Sequence, residues 1–138
     1  MRAIILLVLL AFGSSATAHE MTPTYPKFEV SYMAGVSVTT MSLFNKRKDV
    51  SYYEIGVFTD EWKPVAFVSQ YTVIPMLYLD TVSFDVYVST DSIESIEYIC
   101  SISRLMAGAT VSSKICSRVK RDEKATASVG YSVYTCIR

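Results

Sequence analysis

Apolar and polar residues alternate along most of this chain, with the two-residue period of β-strands. The clearest case is Thr81–Ser89, where Val82, Phe84, Val86 and Val88 alternate with Ser83, Asp85, Tyr87 and Ser89. One face of that strand should be core and the other wet. Val36–Phe44 reads as a second strand, rich in Val, Thr, Leu and Phe, and residues 50–59 as a third, alternating over Tyr53, Ile55 and Val57. Between these two lie Asn45, Lys46, Arg47, Lys48 and Asp49, expected to form a charged, solvated turn joining adjacent antiparallel strands. Such a pair cannot hide its apolar face alone, so the remaining chain must supply an opposing sheet.

Shorter strands are expected over residues 27–33, 65–69, 71–74 and 76–79, with Pro75 interrupting the last two. Residues 60–64 should turn, with Trp62 folded back over the sheet edge, and residues 90–94 form a polar connector. Residues 96–105 alternate again, with Ile96, Tyr98, Cys100 and Ile102 expected on the apolar face and Glu97, Ser101 and Ser103 on the other. A tight hairpin around Gly108 leads back through residues 110–120. There Val111, Ile115 and Val119 should point inward and Lys114, Arg118 and Lys120 outward. A last strand is expected over residues 127–137, with Val129, Tyr131 and Val133 on one face. About eight short strands with a turn every ten or so residues predict an all-β domain: an Ig-like β-sandwich of about seven to eight antiparallel strands, or a small barrel.

The N-terminus follows a different rule. Arg2 precedes the apolar run Ile4 to Phe12, and Ala16-Thr17-Ala18 offers the small-x-small pattern of a signal peptidase site. Residues 1–18 are therefore expected to be a signal peptide, cleaved before His19, with residues 19–138 as a single domain. The apolar run is well short of the ~20 residues that span a bilayer, and no later run is longer, so no stable membrane span is expected after cleavage. Arg2 is one of 13 basic residues, so the mature part carries 12 basic against 13 acidic residues. That balance gives no basic surface for nucleic acid. Export places the protein in the periplasm or outside the cell.

Little here suggests catalysis. His19 is the only histidine, too few ligands for a copper site, and is expected to be an exposed terminal residue. The carboxylate pairs Asp60/Glu61 and Glu94/Glu97 fall in turns or on wet faces without a neighbouring base. No Ser lies in a G-x-S-x-G elbow, and there is no CxxC metal motif. The chain is expected not to be an enzyme and to hold neither cofactor nor metal. Lys114, Arg118, Lys120, Arg121 and Lys124 cluster on one edge, as a carboxylate contact or as charge that protects an edge strand. Tyr52, Phe58, Tyr87 and Tyr134 fall on outward positions, either as a protein contact or as cover for the sheet. Three cysteines, Cys100, Cys116 and Cys136, lie in the exported part. Either Cys100–Cys116 or Cys116–Cys136 can pair, and hairpin geometry favours the first.

Taken in order, several pieces resemble the periplasmic pilus (chaperone–usher) chaperones, in their N-terminal Ig-like domain. They are SLFNKRKDVSYYEIGVFTDEW through Trp62, PMLYL ahead of the Val82 to Val88 strand, DSIESIEY over residues 91–98, and ICSRVKR over residues 115–121. The resemblance implies a module that donates an edge strand to an unfinished pilin subunit or another β-rich envelope protein. It implies Val111, Ile115 and Val119 as donated residues and Lys120 as the basic anchor for a client carboxylate. It also places a disulfide between the strands that carry Cys100 and Cys116. The residues 27–33 contain no Arg to match the family's second anchor. The expected function is thus a non-enzymatic, chaperone-like protein-binding module in envelope or pilus assembly. The alternative is a structural subunit that self-assembles through its edge strands.

Overall fold

A computed structural model describes residues 18–121. The expected leader, apart from Ala18, lies outside those residues. So does the expected strand at 127–137, with Lys124, Tyr134 and Cys136.

The described chain is a β-sandwich of two antiparallel sheets. The first holds β1 (Glu20–Thr22), β3 (Val36–Phe44), β7 (Thr81–Ser89) and β5 (Val68–Ser69) in that order, with β2 (Glu29–Val30) also pairing β3. The second runs β6 (Val73–Pro75), β4 (Val50–Phe58), β8 (Tyr98–Leu105) and β9 (Lys114–Arg118). Both orders contain the A-B-E and C-F-G neighbours of an Ig-like sandwich. Nine strands are present among the described residues, because the short segments around residues 20, 29, 68 and 73 each pair separately.

The strongest alternation makes the longest strands. β3 buries Ser37, Thr39, Met41 and Leu43, and β7 buries Phe84, Val86 and Val88. Facing them, Val50, Tyr53, Ile55 and Val57 of β4 and Ile99 of β8 close the core. A register shift between Val50 and Tyr52 lets both Val50 and Tyr53 point inward.

β3 and β4, expected to be adjacent antiparallel strands, belong to opposite sheets. β3 pairs β7 along its whole length, while β4 pairs β6 and β8. The connector between them crosses the ~10 Å between packed sheets. It is also not solvated throughout: Asn45 is fully buried and Arg47 nearly so. Residues 76–79 form a loop rather than a strand, held by Asn45, whose N–H donates to Asp80 O and whose O accepts from Leu79 N–H. The polar connector after β7 is a 3₁₀ helix, Thr90–Ser95.

β8 faces the opposite way from the expected one. Ile99, Ser101 and Ser103 point into the core, while Tyr98 and Ile102 are only half-buried on the outer face. Inward serines are tolerated because each finds polar partners inside the sandwich.

Candidate functional site

The hairpin from β8 to β9 carries the features that bear on function. Its register is centred on Gly108, which takes φ +89°, a conformation that suits glycine. That register sets Cys100 directly opposite Cys116, with Cα atoms 4.0 Å apart, and the two are joined by a disulfide. The bond lies on the outer face of the second sheet, yet Cys100 is fully buried. In β4, Gly56 stands opposite Cys100, and the Phe58 ring lies across Gly56. Trp62 stacks on Tyr98 with centroids 4.7 Å apart, and Lys114 Nζ sits 4.1 Å from the Trp62 ring and 4.6 Å from that of Phe58. Phe58 and Trp62 thus cover the sheet, and Lys114 is held against them.

The segment leading into β9 is fastened from inside. Ser113 N–H donates to Ser103 Oγ, Ser112 Oγ to Ser103 O, and Arg47 Nη2 to Val111 O at 2.6 Å. Arg47 also forks onto Asp49 through Nε and Nη2 and reaches Ser113 Oγ through Nη1. The guanidinium holds the Asp49 carboxyl below its ordinary range. His19 completes the cluster. Its Nε2 lies 2.8 Å from Ser101 Oγ and its Nδ1 3.0 Å from Ser113 Oγ, with the ring 4.5 Å from that of Tyr53. Burial, with Arg47 nearby, pushes the imidazole down to about 4, against the smaller opposing effect of the Ser101 hydrogen bond. The Tyr53 hydroxyl, pushed up to about 12 by burial, donates to Asn45 Oδ1. Among the described residues no buried side-chain N or O lacks a partner.

His19 is therefore not the exposed terminal residue expected; it is 2% exposed. The Asn45, Arg47, Tyr53, His19, Ser101, Ser103 and Ser113 network is the part of this region the sequence reading missed. Its only trace in the sequence is the inverted parity of Ser101 and Ser103, polar residues on what proves to be the core face.

The expected protein-binding residues do not form one exposed row. Val111 is 65% exposed in the loop before β9, Ile115 is half-buried against the core, and Val119 is 5% exposed within it. A residue so buried is unavailable to a partner unless the sandwich opens, so Val119 acts as core here. Lys120 is exposed, and among the described residues its side chain meets no partner. Of the rest of the basic cluster, Arg118 and Arg121 both bind Glu97, at 2.5 and 2.7 Å.

β9 is an edge strand, and its two ends differ. Val119 N–H donates to Glu97 O and Ser103 N–H to Ser113 O, so the odd-numbered residues face β8. The even-numbered main-chain groups face away from the sheet. Of these, Arg118 N–H is taken by Thr24 O and Lys120 N–H by Pro26 O. No described main-chain group reaches the outward N–H of Lys114 or Cys116.

No protein-family model and no curated protein matches the sequence. Solved structures do match in shape. One is the E. coli chaperone DraB. The likeness has a TM-score of 0.57 at 13% identity, over 74% of this chain and 53% of that one. The protein thus spans about half the length of DraB, and at this identity the likeness speaks for the fold.

Proposed function

We propose that the protein is a non-enzymatic, chaperone-like binding module that takes an extended β client onto the edge of β9. The observation that carries this reading is the main-chain pairing of that strand: the outward N–H groups of Lys114 and Cys116 are open while those of Arg118 and Lys120 are covered. An open edge beside a covered end offers a short docking register for an added strand. Val111 precedes that register and Ile115 lies within it, and Lys120 supplies a cation beyond its covered end that suits a client carboxylate. The fold shared with the chaperone DraB supports the reading, as does the resemblance to the pilus chaperones. The disulfide suits an oxidising compartment, in keeping with a periplasmic or secreted protein whose clients are pilin-like or other β-rich envelope proteins.

Lys114→Pro tests this directly. Proline removes the outward N–H of residue 114 and leaves the bonds of β9 to β8 in place, as an edge strand tolerates. Lys114→Gln, which keeps the N–H, is the control for loss of the charge. Recovery of β-rich envelope proteins by the mature domain should survive Lys114→Gln and fall at least tenfold with Lys114→Pro. Equal recovery by all three would sink the proposal. A mass that grows with concentration for the wild type but not for Lys114→Pro would favour the self-assembling subunit instead.

A further inference from the structure

The two ends of the sandwich differ in chemistry. One holds the turn through Asp60, Glu61 and Lys63 and the 3₁₀ helix with Asp91 and Glu94, all exposed. At the other end two loops adjoin. Residues 76–80 follow β6, and residues 106–113 join β8 to β9. The connector over residues 45–49 braces both: Asn45 O accepts from Leu79 N–H, and Asp49 O from Met106 N–H. These loops expose Leu77, Tyr78, Leu79, Met106 and Val111, with Leu77 76% exposed. Exposed apolar residues scattered singly are ordinary, but five on two adjoining loops mark a contact surface.

The first loop is built to leave water at low cost. Leu77 N–H donates to Asp80 Oδ2 at 2.9 Å, Leu79 N–H to Asn45 O at 2.8 Å and Asp80 N–H to Leu77 O at 3.2 Å. Leu77 O also accepts from Asn45 Nδ2, and Asp80 O from Asn45 N–H. Most of its main-chain groups are thus served within the protein, as a hydrocarbon environment demands and water does not. The Asp80 carboxylate is turned back onto the loop by the same bonding. Leu79 takes φ +66°, a costly conformation for leucine. The turn therefore spends strain to present an apolar side chain where glycine would relieve it.

The charges beside this loop are cationic or neutralised. Lys46 pairs with Glu20, and Arg47 with Asp49. Lys48 is exposed, and its Nζ lies 4.7 Å from the centroid of the Tyr78 ring. Among the described residues no carboxylate pairs with it. A tyrosine and a lysine beside exposed leucines suit a bilayer interface, where the ring lies at headgroup level and the ammonium reaches lipid phosphate.

We propose that this end of the sandwich is a peripheral membrane-contact surface for an anionic bilayer. Leu77 and Leu79 enter the interfacial region, Tyr78 lies among the headgroups, and Lys48 faces the lipid phosphates. A protein that adds a strand needs unmet main-chain groups, as on the β9 edge, and this loop offers few. The surface requires no client, so it stands or falls separately from the binding activity proposed above.

Vesicle co-sedimentation of residues 19–138 tests it, with phosphatidylcholine vesicles alone or with about 30% phosphatidylglycerol. The wild type should bind the anionic vesicles and bind the neutral ones at least about fivefold more weakly. Leu77→Ser with Leu79→Asn should weaken binding at least about tenfold while leaving Tm unchanged, since both side chains are exposed and asparagine tolerates the left-handed backbone. Lys48→Gln should remove most of the preference for anionic lipid. Orientation gives a second reading. Trp62 lies in the turn at the charged end, so wild-type emission should not change with vesicles, whereas Leu77→Trp should gain a vesicle-dependent blue shift. No binding by the wild type, equal binding to both kinds of vesicle, or binding that survives the double leucine change would overturn the proposal. So would a double leucine variant that loses recovery of envelope proteins while vesicles bind neither protein, since the tip would then be a protein contact.

Discussion

His19 Nε2 lies 2.8 Å from Ser101 Oγ, in the interior between the two sheets. The contact joins the residue expected at the mature N-terminus to the middle of β8, and Ser113 on the other ring nitrogen ties both to the approach to β9. The imidazole sits at about 4 in the folded protein against an ordinary 6.5. The unfolded chain therefore binds the proton more readily. Stability is fully present above pH 6.5 and is lost as pH falls from there toward 4, below which the loss levels off. At pH 5 the expected loss from this one group is on the order of 2 kcal/mol relative to pH 7. Urea denaturation at both pH values checks it. In His19→Gln most of that difference should disappear, and an unchanged pH slope would assign it to other groups.

Asn45 is the second fixed point of the same region. Its Oδ1 accepts from Tyr53 Oη at 2.7 Å and from Arg47 N–H at 2.9 Å, and its Nδ2 donates to Leu77 O at 3.0 Å. Removing this side chain leaves several buried polar groups without partners, each costing ~1–3 kcal/mol, whereas removing a single hydroxyl leaves an oxygen still served by Arg47. Asn45→Ala should therefore cost about 3 kcal/mol or more, and Tyr53→Phe only about 1 kcal/mol. Denaturant midpoints of the two variants decide it, and equal losses would mean that the pairing through Tyr53 dominates.

The long strands were legible because their alternation is local. Val36–Phe44 and Thr81–Ser89 fall on the residues that the pattern marks. Partner choice was not legible, because alternation says which face is buried but not against what. The Asn45 to Asp49 connector carries five ionisable or amide side chains that read as solvated. It turns inward because those groups bond to Tyr53, Leu77, Val111 and Ser113. β8 misled for the converse reason: Cys100 and Tyr98 look like core residues and do lose water, but beneath Phe58 and Trp62 on the outside. The site suffered most, since an open edge is a property of main-chain pairing and leaves no signature in side-chain type. Lys120 was legible as an exposed cation, whereas Val119 proved to be core.

The disulfide closes a loop with a sequence separation of 16 residues. On loop-closure entropy such a bridge contributes about 3 kcal/mol. The loop it closes contains Val111 to Ser113, already held by Arg47, His19 and Ser103, so the hairpin should keep part of its order without it. Replacing both Cys100 and Cys116 by Ala should lower stability by about 2–4 kcal/mol. With Cys100 fully buried, a mild reductant should open the bond of the native protein far more slowly than in 6 M urea or guanidinium. Thiol labelling with and without denaturant measures this, and equal rates would show that the aromatic cover is permeable.

Gly56 is the residue on which that cover rests. A Cβ at this position would come 2.7 Å from Phe58 Cε2 and 2.8 Å from Cζ, so the ring must move. The atoms concerned are the far end of the ring, and swinging it costs ~0.5–1.5 kcal/mol as an off-rotamer torsion. Displacement also loosens Lys114, whose ammonium is shared between Phe58 and Trp62. Trp62 is the one tryptophan of the chain, so its fluorescence reports the change without a label. Gly56→Ala should destabilise by about 1 kcal/mol and shift Trp62 emission to longer wavelength. On a Phe58→Ala background the sign should reverse, because glycine inside a strand is weaker than alanine once nothing overlies it. An equal loss in both backgrounds would mean that the glycine is there for some reason other than Phe58.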